Sequence, residues 1–277
     1  MPDDLRISKL GVAFGRKYSG KTYTTWQMIY HYVTGDPYKG IKPRRALILD
    51  VNDEYGFLKA ISVNDVGKFS NSRFIEARRI RAFNEKTGQP MTLNEVADCL
   101  FFILANYRRG LLLIEDINVY ISDNLPDDLV GAICRNRHTE LDIILHYQSI
   151  GRITTKVWQN INWLRFHKIT DSVRRHKEKF EDKYEYLCIA ENMVNNEYRE
   201  GNKRFYCYID VDEGKIRGDF SKKIFLDAIE IYLIRNYRTK IRPILDSVNK
   251  NGERTYSNYQ DAFSFCSNDL LSQYSSF

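Results

Sequence analysis

A chain of 277 residues is long enough for one or two domains, and its 43% hydrophobic and 28% charged residues are the proportions of a folded globular protein. Collagen-like, disulfide-scaffold and wholly disordered chains are thereby excluded. Lys and Arg number 42 against 36 Asp and Glu, a net +6 that says little by itself about an acidic partner. The longest apolar runs, such as LLLI at 111–114, fall far short of the roughly 20 residues of a membrane-spanning helix. The N-terminal MPDDLRIS lacks the basic start and apolar stretch of a secretory signal, so a protein that is neither secreted nor membrane-spanning is expected. Cys99, Cys134, Cys188, Cys207 and Cys266 are dispersed without a C-x-x-C pair, which fits small core residues in a reducing compartment better than a zinc site or disulfides.

Residues 7–14 read as a strand running into Gly15, followed by a helix over 22–33 that Gly35-Asp36-Pro37 stops. ALILDV at 46–51 is a continuous apolar run, as expected of a strand buried on both faces. The polar stretch 62–89 reads as loops with a short strand near 72–77. Thr92 with Glu95 three residues on is a capping box opening a helix to about Tyr107, and Gly110 leads into a second buried strand at 111–114. A helix over 127–137, a third buried strand at 141–146 and an edge strand at 163–169 follow. Such alternation predicts an α/β fold with a mainly parallel sheet flanked by helices. Beyond Ser172 the pattern changes to a C-terminal α+β appendage. It comprises a long charged helix to about Tyr198, a hairpin of 204–211 and 215–220 turning at Asp212-Glu213-Gly214, and a helix capped by Ser221. The expected division is 1–171 for the core, 172–239 for the extension of the same domain and 240–277 for a polar arm or tail.

GRKYSGKT, from Gly15 to Thr22, matches G-x-x-x-x-G-K-[ST] between a strand and a helix. Gly15 and Gly20 permit close backbone approach, so the N–H groups of the loop formed by Gly15, Arg16, Lys17, Tyr18, Ser19, Gly20, Lys21, Thr22 and Tyr23 can cradle phosphate. Lys21 supplies charge to the β- and γ-phosphates, the Thr22 hydroxyl is a hard ligand for Mg²⁺, and the helix N-terminus adds its dipole. ATP and Mg²⁺ are the expected cofactors. At the end of the strand 111–114, Glu115 and Asp116 are the acidic pair such a loop requires. Glu115 is assigned to the metal and Asp116 to the attacking water, with exchange or sharing of the roles left open by their Glu-Asp order. Gln148, just past the third buried strand, is placed to touch both γ-phosphate and water.

Together GRKYSGKT, ILDVNDEYG, LLLIED and RNRHTELDIILHYQS, followed by WQNINWLRFHKITD, resemble the FtsK–HerA superfamily of P-loop ATPases, and within it the viral genome-packaging ATPases. The likeness covers residues 5–171 and departs from the family in the inverted Glu115-Asp116 pair and in Asp53, where glycine is common. It implies a P-loop NTPase fold of the RecA/ASCE type and ATP hydrolysis coupled to translocation of double-stranded DNA. It further implies a homo-oligomeric ring, pentamer or hexamer, with sites between subunits and a neighbour's arginine at the phosphoryl group. Arg135 and Arg137 are the first candidates for that arginine, Arg174 and Arg175 the second. His138 and His146 read as structural, since phosphoryl transfer needs no imidazole. Phosphate-backbone grip asks for Lys and Arg facing a channel, for which Arg152 and Lys156 are candidates. The run Arg174, Arg175, Lys177 and Lys179 reads as a solvated helix face. A capsid or portal partner, and a place in host cytoplasm or virion, follow from the resemblance. Alternatives are a phage assembly and export ATPase of the zonula-occludens-toxin type, a slow P-loop module with a structural role, and a nucleotide kinase.

Overall fold

Apolar runs without polar alternation become strands covered on both faces, and they form most of the five-stranded parallel sheet of the first part of the chain. The computed structural model describes residues 7–84, 87–117, 131–133 and 139–276. It divides into two units, Met1–Leu164 and Arg165–Phe277.

In the first unit, β1 (Leu10–Phe14), β2 (Arg45–Asp50), β3 (Ala77–Arg81), β4 (Gly110–Ile114) and β5 (Asp142–Tyr147) lie in the order β3-β2-β4-β5-β1. All four pairings among them are parallel, and the registers set Val12 beside Leu145, Leu113 beside Ile144, and Ile48 beside Leu113. Helix α1 (Lys21–Thr34) follows β1, and α2 (Leu93–Asn106) precedes β4 with the Thr92–Glu95 capping box formed in both directions. One face of the sheet contributes Ala46, Ile48, Leu111, Leu113 and Ile144 to a cluster closed by Ile29 of α1 and by Tyr55. The residues between them in sequence, Leu47, Leu49, Leu112 and Ile114, alternate to the opposite face and are equally buried. Strands β2, β4 and β5 therefore hold their position by burial on both sides, and the carboxyl ends of the five parallel strands lie together.

Gly11 is fixed by contact. A Cβ there would stand 2.0 Å from the Trp163 ring, which lies over β1. Trp163 opens β6 (Trp163–Phe166), and within the first unit this strand begins beside β1, where the Asn162 amide donates to the Leu10 carbonyl at 2.9 Å.

In the second unit, Arg165 and Phe166 run beside β7 (Cys207–Asp210), which pairs antiparallel with β8 (Lys215–Arg217). The strand expected over 163–169 is thus shorter. Helix α3 (Thr155–Asn160) belongs to the first unit; α4 (Tyr184–Arg199), α5 (Lys222–Arg235), α6 (Tyr237–Leu245) and α7 (Tyr259–Tyr274) belong to the second. Helix α4 packs on α5, which packs on α7. The Asn192 amide of α4 donates to the Ala228 carbonyl of α5 at 3.1 Å, and the Tyr274 hydroxyl of α7 donates to Glu185 of α4 at 2.9 Å.

Two expectations are corrected. The short strand placed near 72–77 lies at Ala77–Arg81, where Arg79 is drawn inward by Asp50, while Phe74 and Ile75 are exposed. The long charged helix from Ser172 is instead two 3-10 turns and a short helix leading into α4. Buried Val173 and Phe180 anchor that segment, and Glu181 adopts φ 48°, through which a right-handed helix cannot run. The polar arm after Lys240 is largely helical: Ala262, Cys266, Leu270 and Tyr274 are buried along one face of α7. Of the helix expected at 127–137, residues 131–133 are helical and the others lie outside the described residues, as does Cys134. Cys99, Cys188, Cys207 and Cys266 are free and buried, as core residues should be. Among the described residues no helix is long and apolar enough to cross a membrane.

Candidate active site

Strand β1 ends where the Gly15 amide donates to the Tyr147 carbonyl of β5 at 3.1 Å, and the chain then turns through the glycine-rich loop. Tyr18 at its apex has φ 63° and is fully exposed, while Ser19 turns inward. Gly20 sits at the N-cap of α1 with φ 92°, a conformation that glycine alone adopts freely. No side chain caps α1 and no acid occupies its first turn, so its first N–H groups present partial positive charge to the loop. The Lys21 ammonium is buried and donates to the carbonyls of Gly15 at 2.6 Å and Arg16 at 3.4 Å, which holds it under the loop.

The neighbouring strands deliver acids to the same end of the sheet. Glu115 and Asp116 follow β4; Asp50 ends β2, and Glu54 lies in the turn after it. Asp50 is buried and builds that turn, accepting from the amides of Glu54 at 2.9 Å and Tyr55 at 3.1 Å, with Arg79 of β3 donating at 2.8 Å. Arg79 also pairs with Asp53, whose φ of 58° is the left-handed conformation that glycine would take at no cost. The turn sends Glu54 back to α1, where it accepts from the Thr22 hydroxyl.

Asp116 also has positive φ, 39°, and its Oδ2 accepts from Asn52 Nδ2 at 2.8 Å and from Gln148 Nε2 at 3.0 Å. Glu115 is 2% exposed. Burial, then the charges of Glu54, Asp50 and Asp116, push its carboxyl up to about 9 against the opposing pull of Lys21. Hard oxygen donors gathered at this end of the sheet suit Mg²⁺, which takes one or two carboxylates and completes its shell with phosphate oxygens and water. Among the described residues no three His, Cys, Asp or Glu converge as a metal-holding group. Thr22, Glu115 and Glu54 are the residues of this chain that fit such a shell.

Comparison with known proteins adds the decisive view of the fold. No family model matches the chain, and no curated protein matches it. Solved structures do. The genome packaging NTPase B204 from Sulfolobus turreted icosahedral virus 2, in complex with AMP, superposes with a TM-score of 0.51 at 18% identity, over 78% of this chain and 98% of that one. The same protein in complex with ATP-gammaS gives 0.50 at 17% identity, over 76% and 96%. The chain has the P-loop NTPase fold. The viral packaging ATPases that its motifs resemble are among the proteins this comparison returns.

In P-loop NTPase terms, the phosphate loop, Lys21, Thr22, Glu115, Asp116 and Gln148 are brought together at the carboxyl ends of β1, β4 and β5. Tyr23 projects from the first turn of α1 and is exposed, as is Lys17. Arg135, Arg137 and His138 lie outside the described residues. Arg152 and Lys156 are exposed on the segment after β5. In the second unit, Arg174 departs from the expected solvated face: its Nε and Nη2 are buried without hydrogen-bond partners, and its charge opposes the effect of burial on Glu191. Arg175 remains exposed. Residues that sequence reasoning gave no role are Asn52, Glu54 and Thr25, and His146 it read as structural. The first two stood inside a quoted motif, ILDVNDEYG, whose turn becomes meaningful once Asp50 is seen to nucleate it.

Proposed function

We propose that the chain binds Mg·ATP in this pocket and hydrolyses it at the subunit interfaces of a homo-oligomeric ring, moving double-stranded DNA as a viral genome-packaging ATPase. The observation that carries the reading is the convergence of an uncapped helix N-terminus, a buried Lys21 ammonium and a strand-end acid held by Gln148. In this reading the loop amides and Lys21 bind the β- and γ-phosphates. Thr22 and Glu115, with Glu54 on the Thr22 hydroxyl, form the protein side of the Mg²⁺ shell. Bound Mg²⁺ supplies charge neutralisation at the transferring phosphoryl group. Asp116 orients the attacking water, and Gln148, bonded to Asp116, couples that water to the presence of a γ-phosphate. Arg135 or Arg137 from a neighbouring subunit supplies the arginine finger, a contribution of about 10³–10⁵ in rate where such residues have been measured. Exposed Arg152 and Lys156 are the backbone-gripping candidates.

Turnover with and without double-stranded DNA tests the proposal. DNA-stimulated hydrolysis that weakens with salt is expected, and turnover indifferent to DNA would contradict translocation. Mixing Arg137→Ala with Asp116→Ala protein should restore part of the activity each lacks. An inactive mixture would argue against sites shared between subunits.

A further inference from the structure

His146 lies near the end of β5 and Gln148 just past it, and each side chain is set against one acid of the Glu115–Asp116 pair. Gln148 reaches Asp116. His146 faces the other acid of the pair, its Nδ1 lying 3.6 Å from Glu115 Oε1, slightly longer than a hydrogen bond. On the far side of the ring, His146 Nε2 is 2.8 Å from the Thr25 hydroxyl of α1. A hydroxyl that donates to Nε2 leaves the ring proton on Nδ1, the nitrogen directed at Glu115. Thr25 stands three residues after Thr22 on α1, so the ring joins the phosphate-loop helix to the strand-end carboxylate. Hydroxyl, imidazole and carboxylate in sequence have the composition of a nucleophilic triad, but Thr25 is 0% and His146 2% exposed. No substrate can reach that hydroxyl, and the arrangement can only position.

We propose that His146, oriented by Thr25, is a positioning residue that fixes the Glu115 carboxylate for divalent-cation binding. The inference rests on the Mg·ATP reading of the site. The end of β5 thus faces both acids of the pair, with the Gln148 amide bonded to Asp116 and the His146 imidazole set beside Glu115. A carboxylate committed to one rotamer binds a cation without first being ordered, and outer partners of metal ligands typically contribute about 10–100-fold in metal affinity.

The test is equilibrium binding of a fluorescent ATP analogue, first in EDTA and then across a Mg²⁺ titration. It compares the wild type with His146→Phe, which keeps a ring and removes both nitrogens, His146→Gln, which keeps a donor, and Thr25→Val. His146→Phe should raise the Mg²⁺ concentration for half-maximal tightening by about 10–100-fold. Affinity in EDTA should stay within about 2-fold of wild type, and His146→Gln should recover most of the shift. Thr25→Val, close to isosteric, should shift the midpoint in the same direction by about 3-fold or more, and carries the test if His146→Phe does not fold. A wild-type Mg²⁺ midpoint in folded His146→Phe, or in Thr25→Val, would overturn the role of the histidine and leave the nucleotide site standing. A wild type that takes up no nucleotide would overturn the site reading and this inference with it.

Discussion

Glu115→Gln should make the metal-free protein increasingly more stable than wild type as pH rises. The Glu115 carboxyl is pushed from 4.5 up to about 9, first by burial and then by Glu54, Asp50 and Asp116, with Lys21 opposing. The sign follows from the raised value. Below about pH 4.5 the acid is neutral in folded and unfolded chains alike and contributes no difference. Between that point and about pH 9 the unfolded chain releases the proton freely while the folded chain retains it, so stability falls by about 1.4 kcal/mol per pH unit. Glutamine does not titrate, and any fixed change it makes in packing cancels from the slope. From about pH 5.5 to about pH 7.5 the gap between variant and wild type should therefore widen by on the order of 2–3 kcal/mol, or roughly 5–10 °C in melting temperature. The assay is thermal and urea unfolding in EDTA at both pH values. Melting curves whose separation stays constant or narrows with rising pH would refute the buried, acid-crowded setting of Glu115.

Other residues give sharp expectations. Gly11→Ala places a Cβ 2.0 Å from the Trp163 ring and should cost about 1–3 kcal/mol or more, read as a lower urea midpoint; an unchanged midpoint would contradict the packing of Trp163 over β1. Gln148→Ala and Asn52→Ala each remove a donor from Asp116 Oδ2 and should lower kcat, the former by on the order of 10²-fold, while nucleotide affinity is kept; parallel loss of binding would place Asp116 elsewhere in the mechanism. Arg174→Ala should destabilise the second unit, whereas Arg175→Ala should stay within about 0.5 kcal/mol of wild type. Equal melting temperatures for the two variants would count against an inward-facing Arg174.

What could be read from the residues was whatever depends on local chemistry. The loop GRKYSGKT, the apolar runs that became β2, β4 and β5, and the capping box of Thr92 and Glu95 each carry their own cause, and the structure repeats them within a residue or two. Features that depend on distant partners were hidden. Strand β3 reads ARRIR, and it is held by pairing to β2 and by the attraction of Asp50 for Arg79 rather than by hydrophobicity. The break at Glu181 follows from where Val173 and Phe180 are buried, not from a helix-breaking residue. Helix α7 buries positions four apart amid polar residues, a stripe too narrow to announce itself. In the site, Gln148 was legible because it ends a strand, but Asn52, Glu54 and His146 acquire meaning only from Asp116, Thr22 and Glu115, which the sheet brings to them across 64, 32 and 31 positions of sequence.

The most direct measurement is calorimetric titration of the purified chain with ATP in the presence of Mg²⁺, repeated with Lys21→Ala. The account predicts saturable uptake by the wild type and its loss when the ammonium beneath the Gly15 and Arg16 carbonyls is removed. No heat of binding from the wild type up to millimolar nucleotide, or undiminished binding by Lys21→Ala, would contradict it.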